Sequence, residues 1–169
     1  MRLRFCHVAA FCAVLLLPLA APRAADAPPG ELAGELALTG KVVHPQQFNL
    51  EKLKALASQQ VQVSFLSERG EQKMSFTGVP LWALLGEAGG LADTEKGAAL
   101  HHTIKITAKD GYWVVISTGE IAPDLGGKPA MIAYQRDDEA PGTSGFRLVM
   151  PGDKHGARYV RDVVTIDVE

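Results

Sequence analysis

Apolar and polar residues alternate with a period of two in several short runs along the chain. Val61, Val63 and Phe65 alternate with Gln62 and Ser64, the pattern of a half-buried strand. Met74 to Phe76 can return beside it after Glu68-Arg69-Gly70, which predicts a tight hairpin. Ile104 to Ala108 and Tyr112 to Ser117 flank Asp110-Gly111, a dipeptide suited to the positive backbone angles of a two-residue hairpin turn. Glu35 to Val43, Ala130 to Tyr134, Phe146 to Met150 and Tyr159 to Val168 read as further strands.

Helical spacing is rarer. Asn49 is placed to cap a short helix whose Leu50, Leu53, Leu56 and Ala57 fall on one face, because an Asn side chain accepts from the free N–H groups of a first turn. Pro80 suits the start of a second helix through Leu81, Leu84 and Leu85, and Gly89-Gly90 suits its stop. A short turn is expected from Glu120 to Leu125. With strands outnumbering helices by about three to one and no internal repeat, the pattern predicts an α+β domain, a mainly antiparallel or mixed β sheet with a few short helices.

The first residues break this pattern. Arg2 and Arg4, an apolar run from Val8 to Leu17, then Pro18 and an Ala-rich stretch to Ala25 have the three-part layout of a secretory signal. The run is too short for a bilayer core that needs about twenty helical residues. Residues 1–25 are therefore read as a signal peptide, 26–34 as a flexible leader rich in Ala, Pro and Gly, and 35–169 as the domain. The expected location is periplasmic or secreted, with no transmembrane segment after cleavage. Leu3 separates the two arginines, so the signal lacks the twin-arginine pair that exports folded, cofactor-loaded proteins.

Both cysteines, Cys6 and Cys12, lie in the signal. The expected mature form is thus cysteine-free, with no disulfide, zinc-thiolate site or cysteine nucleophile. Loss of three signal arginines from a chain of net charge -2 leaves a net charge of -5, which disfavours generic binding to nucleic acid.

Candidate chemistry concentrates between Phe146 and Arg161. Gly152 and Gly156 let the backbone turn and approach a ligand, while Lys154, His155 and Arg158 supply donors able to hold a phosphate. A final strand starting by Arg158 would put that residue on the face of Val160, Val164 and Ile166. The alternative is a solvated turn in which Arg158 pairs with Asp153 or Asp162. Elsewhere, His101 and His102 are adjacent and point to opposite faces of a strand, so they cannot chelate one ion together and read as surface or edge residues. Asp137-Asp138-Glu139 lacks the alternating ligands of a calcium loop and reads as a solvated turn. Trp82 and Trp113 fall on periodic faces and read as core or rim packing. No serine sits in a nucleophile elbow.

The stretch from Phe146 to Arg161, FRLVMPGDKHGARYVR, resembles the oxidoreductase molybdopterin-binding domain, the sulfite-oxidase-type fold. Thr77-Gly78-Val79-Pro80-Leu81 with Leu84-Leu85, Lys109-Asp110-Gly111-Tyr112 and Gly127-Lys128-Pro129 occur in the order that family shows, and together these motifs span most of residues 36 to 168. The resemblance implies a molybdopterin cofactor, its metal held by a cysteine thiolate just after the first core strand. Here that stretch is Val63 to Gly70 with Phe65 near the ligand position, and Arg161 is followed by Asp162 where the family has a basic-aromatic pair. The resulting expectation is a catalytically silent binding domain. Gly152, Lys154, His155, Gly156, Arg158 and Arg161 would surround a small anionic, pterin-like ligand, with molybdenum ligation disfavoured. A molybdopterin-dependent oxidoreductase without a protein thiolate, and an interaction module for a periplasmic sensor or redox partner, are the alternatives.

Overall fold

A computed structural model describes residues 34–169; residues 1–25, read as a signal peptide, and nearly all of 26–34, read as a leader, lie outside the described residues. Nine strands and three α-helices are present among them. Strands β1 (Leu36–Gly40), β2 (Gln46–Phe48), β5 (Thr103–Ala108), β6 (Trp113–Ser117) and β9 (Val163–Val168) form one sheet in the order β2-β1-β9-β5-β6. Strands β3 (Gln59–Ser67), β4 (Gly70–Pro80), β7 (Met131–Arg136) and β8 (Arg147–Val149) form a second, in the order β3-β4-β7-β8. All pairings are antiparallel except β1 with β9. The expected α+β class, mostly strands with a few short helices, is what the chain forms.

Alternation explains which faces meet. Leu36 and Leu38 of β1, Ile104 and Ile106 of β5, Ile116 of β6 and Ile166 and Val168 of β9 are buried. So are Val63 and Phe65 of β3, Phe76 and Val79 of β4, Ile132 of β7 and Leu148 of β8, and both sets share one apolar cluster. Burial of this apolar area, at about 25 cal/mol per Å², is the main force holding the two sheets together. Helix α1 (Leu50–Ala55) starts where the sequence places it, with the Asn49 side chain accepting from the Lys52 N–H at 2.9 Å. Helix α2 (Leu81–Glu87) follows Pro80 and buries Leu81, Leu84 and Leu85; α3 is a single turn, Thr118–Ile121.

Several expectations require correction. The β5–β6 connection is longer than two residues: the Ala108 N–H donates to the Tyr112 carbonyl at 2.8 Å, and of the three residues between them, Lys109 to Gly111, only Gly111 has positive φ (+87°). Asp110 instead turns its carboxylate onto the Tyr112 N–H at 2.9 Å, and the loop closes as a turn followed by a left-handed glycine. The last strand does not begin at Tyr159: residues 156–158 form a 3-10 turn, Asp162 has a φ of +49°, and β9 starts at Val163. His102 is buried rather than superficial. Its Nδ1 lies 3.0 Å from the Glu169 carbonyl oxygen and its Nε2 3.5 Å from Asp93 Oδ2, so it joins the end of β9 to the loop after α2. Trp113 is 55% exposed because it lies on the outward face of β6, where the Lys105 ammonium sits 5.2 Å from its ring.

Candidate anion-binding site

The segment after β8 is drawn back across the second sheet by a sequence of short contacts. Gly152, at a φ of +90°, turns the chain after Met150 and Pro151, and the Asp153 N–H returns to the Met150 carbonyl at 3.2 Å. Leu66 at the end of β3 donates its N–H to the Lys154 carbonyl at 2.8 Å, forming a parallel bridge with His155. The Leu148 N–H donates to the Val160 carbonyl and the Val163 N–H to the Phe146 carbonyl, both at 2.9 Å, which sews residues 160–163 to β8.

Gly156 is fixed by a close approach. A Cβ at this position would lie 2.8 Å from the Phe65 ring, inside the distance any carbon contact tolerates. The absent side chain lets Phe65 stack on Tyr159, with centroids 4.3 Å apart and planes at 29°. The Tyr159 hydroxyl donates to the Met150 carbonyl at 3.0 Å. Burial, helped by nearby Asp153, pushes the Tyr159 phenol up to about 12.

A cleft of about 640 Å³ opens beside this aromatic pair, between the β3–β4 hairpin, the ends of β7 and β8, and residues 155–161. Arg69, Arg136, Arg147 and Arg161 line it with His155, against one lining carboxylate, Glu68. The four guanidiniums come from the hairpin tip, the end of β7, the start of β8 and the connector before β9, so topology alone brings them together.

Arg147 is the unusual member. It is only 8% exposed, and its Nε is buried with no hydrogen-bond partner. Its guanidinium carbon lies 5.5 Å from the centre of the Phe76 ring, and no carboxylate forms an ion pair with it among the described residues. Burial, with repulsion from Arg161 and Arg136, drives its pKa down. A buried cation placed among other cations is electrostatically unsatisfied, and a bound oxyanion is the complement that would satisfy it.

Of the residues expected at the site, His155, Gly156 and Arg161 line the cleft, whereas Gly152, Lys154 and Arg158 do not. Arg158 is committed elsewhere. It grips Asp153 with two hydrogen bonds, Nε to Oδ2 at 2.7 Å and Nη2 to Oδ1 at 2.6 Å, and reaches Glu120 through Nη1 at 3.0 Å. These bonds push the Arg158 pKa upward despite opposing burial. Burial pushes the Glu120 carboxyl up, but hydrogen bonds from Lys128 and Arg158 outweigh it and hold the carboxyl below its ordinary value. The pairing with Asp153 is one the sequence leaves open; the Glu120 contact, 38 residues away, has no local signature. Arg69, Arg136 and Arg147 are the cleft residues that sequence reasoning missed, although a single Arg in the apolar run Phe146 to Met150 is a visible signal.

The donor set does not fit a molybdenum held by the protein. Phe65 fills the position beside Gly156, no cysteine lies among the described residues, and the Ser67 hydroxyl is engaged with the Gly70 carbonyl and the Arg69 N–H, each at 3.1 Å. The Ser64 hydroxyl donates to Glu71 at 2.7 Å. Soft thiolate ligation of the metal has no counterpart in this cleft.

No protein-family model and no curated protein matches the chain. Among solved structures, it is similar to the sulfane dehydrogenase SoxCD from Paracoccus pantotrophus, with a TM-score of 0.63 and 21% sequence identity over 79% of this chain. The match covers 37% of the neighbour's chain, so this protein spans well under half of that neighbour's length. Strand content and this superposition agree that the chain has a sulfite-oxidase-type fold.

Proposed function

We propose that this protein is an exported binding domain that takes a small anionic, pterin-like ligand in the arginine cleft and does not catalyse redox chemistry. The observation that carries the reading is Arg147, a buried guanidinium with an unpartnered Nε and no carboxylate in ion-pair contact among the described residues. Burying a cation without a partner costs several kcal/mol unless something compensates. A ligand oxyanion meeting Arg147, Arg161 and Arg69 supplies that compensation, and Phe65 and Tyr159 form an apolar floor beside it. Arg158 serves as a structural cation that anchors the connector.

Calorimetric titration of the full chain with inorganic pyrophosphate tests the assignment. Arg147→Gln and Arg161→Gln are each expected to weaken binding by at least about tenfold, the scale of a charge-assisted hydrogen bond, and Arg158→Gln to leave it within about twofold. Loss with Arg158→Gln and retention with the other two would reverse the assignment. Molybdenum content and oxidised-pterin fluorescence, measured on protein recovered from the periplasm after expression with its own N-terminal segment, test the absence of catalysis. Stoichiometric metal together with pterin would establish the oxidoreductase alternative, and pterin without metal would support a carrier.

A further inference from the structure

Arg136 reaches the cleft already engaged. Its Nη2 is hydrogen-bonded to Glu139, and its Nε lies 3.8 Å from Asp137 Oδ2. The Glu139 carboxylate also accepts from the Ser144 hydroxyl. It does not line the cleft, yet its charge acts on Arg147 as well as on Arg136. The run Asp137 to Glu139, which reads as a solvated turn in sequence, thus carries one carboxylate bonded to a cation of the cleft, Arg136, and close enough to a second, Arg147, for their charges to interact.

Resting on the anion-binding reading above, we propose that Glu139 is a built-in counter-ion that sets the affinity of the cleft. In the ligand-free protein its negative charge offsets part of the repulsion among Arg136, Arg147 and Arg161. Once an anion arrives, the same charge opposes it. One carboxylate behind the wall therefore trades tight binding for a cleft that tolerates being empty.

A merely positional role for Glu139 predicts the opposite sign, and the loop shows why the two can be separated. Its backbone is held without the carboxylate: Asp137 N–H to Ser75 carbonyl at 2.7 Å, Ser75 N–H to Asp137 Oδ1 at 2.8 Å, Glu139 N–H to Arg136 carbonyl at 3.0 Å, and Gly142 N–H to Tyr134 carbonyl at 2.6 Å. The Gln135 amide adds a bond to the Glu139 carbonyl at 2.9 Å. Glu139→Gln removes the charge and keeps one oxygen to accept from Arg136, while its amide NH2 takes the place of the oxygen that faces Ser144, whose hydroxyl can turn to accept.

The test is titration of the full chain with inorganic pyrophosphate for wild type, Glu139→Gln and Ser144→Ala. Glu139→Gln is expected to bind about three- to tenfold more tightly at low ionic strength, with the gain shrinking toward unity in 0.5 M sodium chloride, where the Debye length falls to about 4 Å. Ser144→Ala, which keeps the charge, is expected to stay within about twofold of wild type. Equal or weaker binding by Glu139→Gln while the wild type binds overturns the proposal and leaves the arginine cleft standing. An equal gain in Ser144→Ala also overturns it, because loosening rather than charge would then be the cause. Binding by none of the three removes the anion-binding reading itself. Should Glu139→Gln fail to fold, Glu139→Ala carries the same expectation.

Discussion

Replacing Arg147 by methionine should make the protein more stable and unable to respond to anions. In the wild type the Arg147 Nε is buried with no partner, and leaving a buried donor unsatisfied costs about 1–3 kcal/mol. The guanidinium recovers part of this over the Phe76 ring at 5.5 Å, an interaction worth about 0.5–1 kcal/mol. A methionine of similar length keeps a contact with that ring of comparable worth and carries no charge to desolvate. The ring contacts cancel and the difference is a gain of about 1–3 kcal/mol, or about 3–12 °C in Tm for a domain of this size. Thermal unfolding by circular dichroism, backed by urea titration at constant m, reads it directly. Adding pyrophosphate should raise the wild-type Tm, by the equivalent of about 2.7 kcal/mol at a hundredfold excess over Kd, and leave the variant unmoved. A variant that melts lower than wild type and still shifts with pyrophosphate would refute the reasoning, because Arg147 would then be a satisfied structural residue.

Two further outcomes follow from the same region. Gly156→Ala places a Cβ 2.8 Å from the Phe65 ring and should cost about 1–3 kcal/mol, the usual penalty of overpacking; Phe65→Leu in the same chain should recover much of the lost Tm, and an unchanged Tm in the single variant would contradict the packing described. Tyr159 should make stability fall at high pH: its phenol is pushed up to about 12 when folded against about 10 unfolded. The unfolded chain therefore releases that proton first, and this contribution is intact below pH 10 and lost as pH rises toward 12. Urea titrations between pH 9 and 12 should show less of this decline in Tyr159→Phe than in wild type.

Much of the framework was legible because it is written locally. The alternation of Val61, Val63 and Phe65, the Asn49 cap and the Pro80-Leu81 helix start each fall within a few residues, and each is present in the fold. The end of the chain was misread where a local pattern competes with distant contacts. Tyr159 to Val168 alternates like a strand, but Asp162 at a φ of +49° interrupts it, and the Arg158 side chain is drawn to Asp153 and Glu120. The cleft was the least legible part. Arg69, Arg136, Arg147 and Arg161 sit at four separate points of the chain and meet only through the order β3-β4-β7-β8 and the connector that follows. Charge clustering in sequence drew attention to Lys154 and Arg158, which turn out to lie outside the cleft.

The placement of β9 bears on how this molecule can be assembled. It lies in the middle of its sheet, paired with β1 on one side and β5 on the other, so two strand pairs made early in synthesis have no common neighbour until the final strand is delivered. The parallel pairing of Leu38 with Ile166 closes a loop of nearly the whole domain, the kind of long-range contact whose entropic cost slows folding. An incomplete chain would expose the inner edges of β1 and β5 with nothing between them, and such open edges recruit strands from other molecules. Folding of the five-stranded sheet is therefore gated by the arrival of β9.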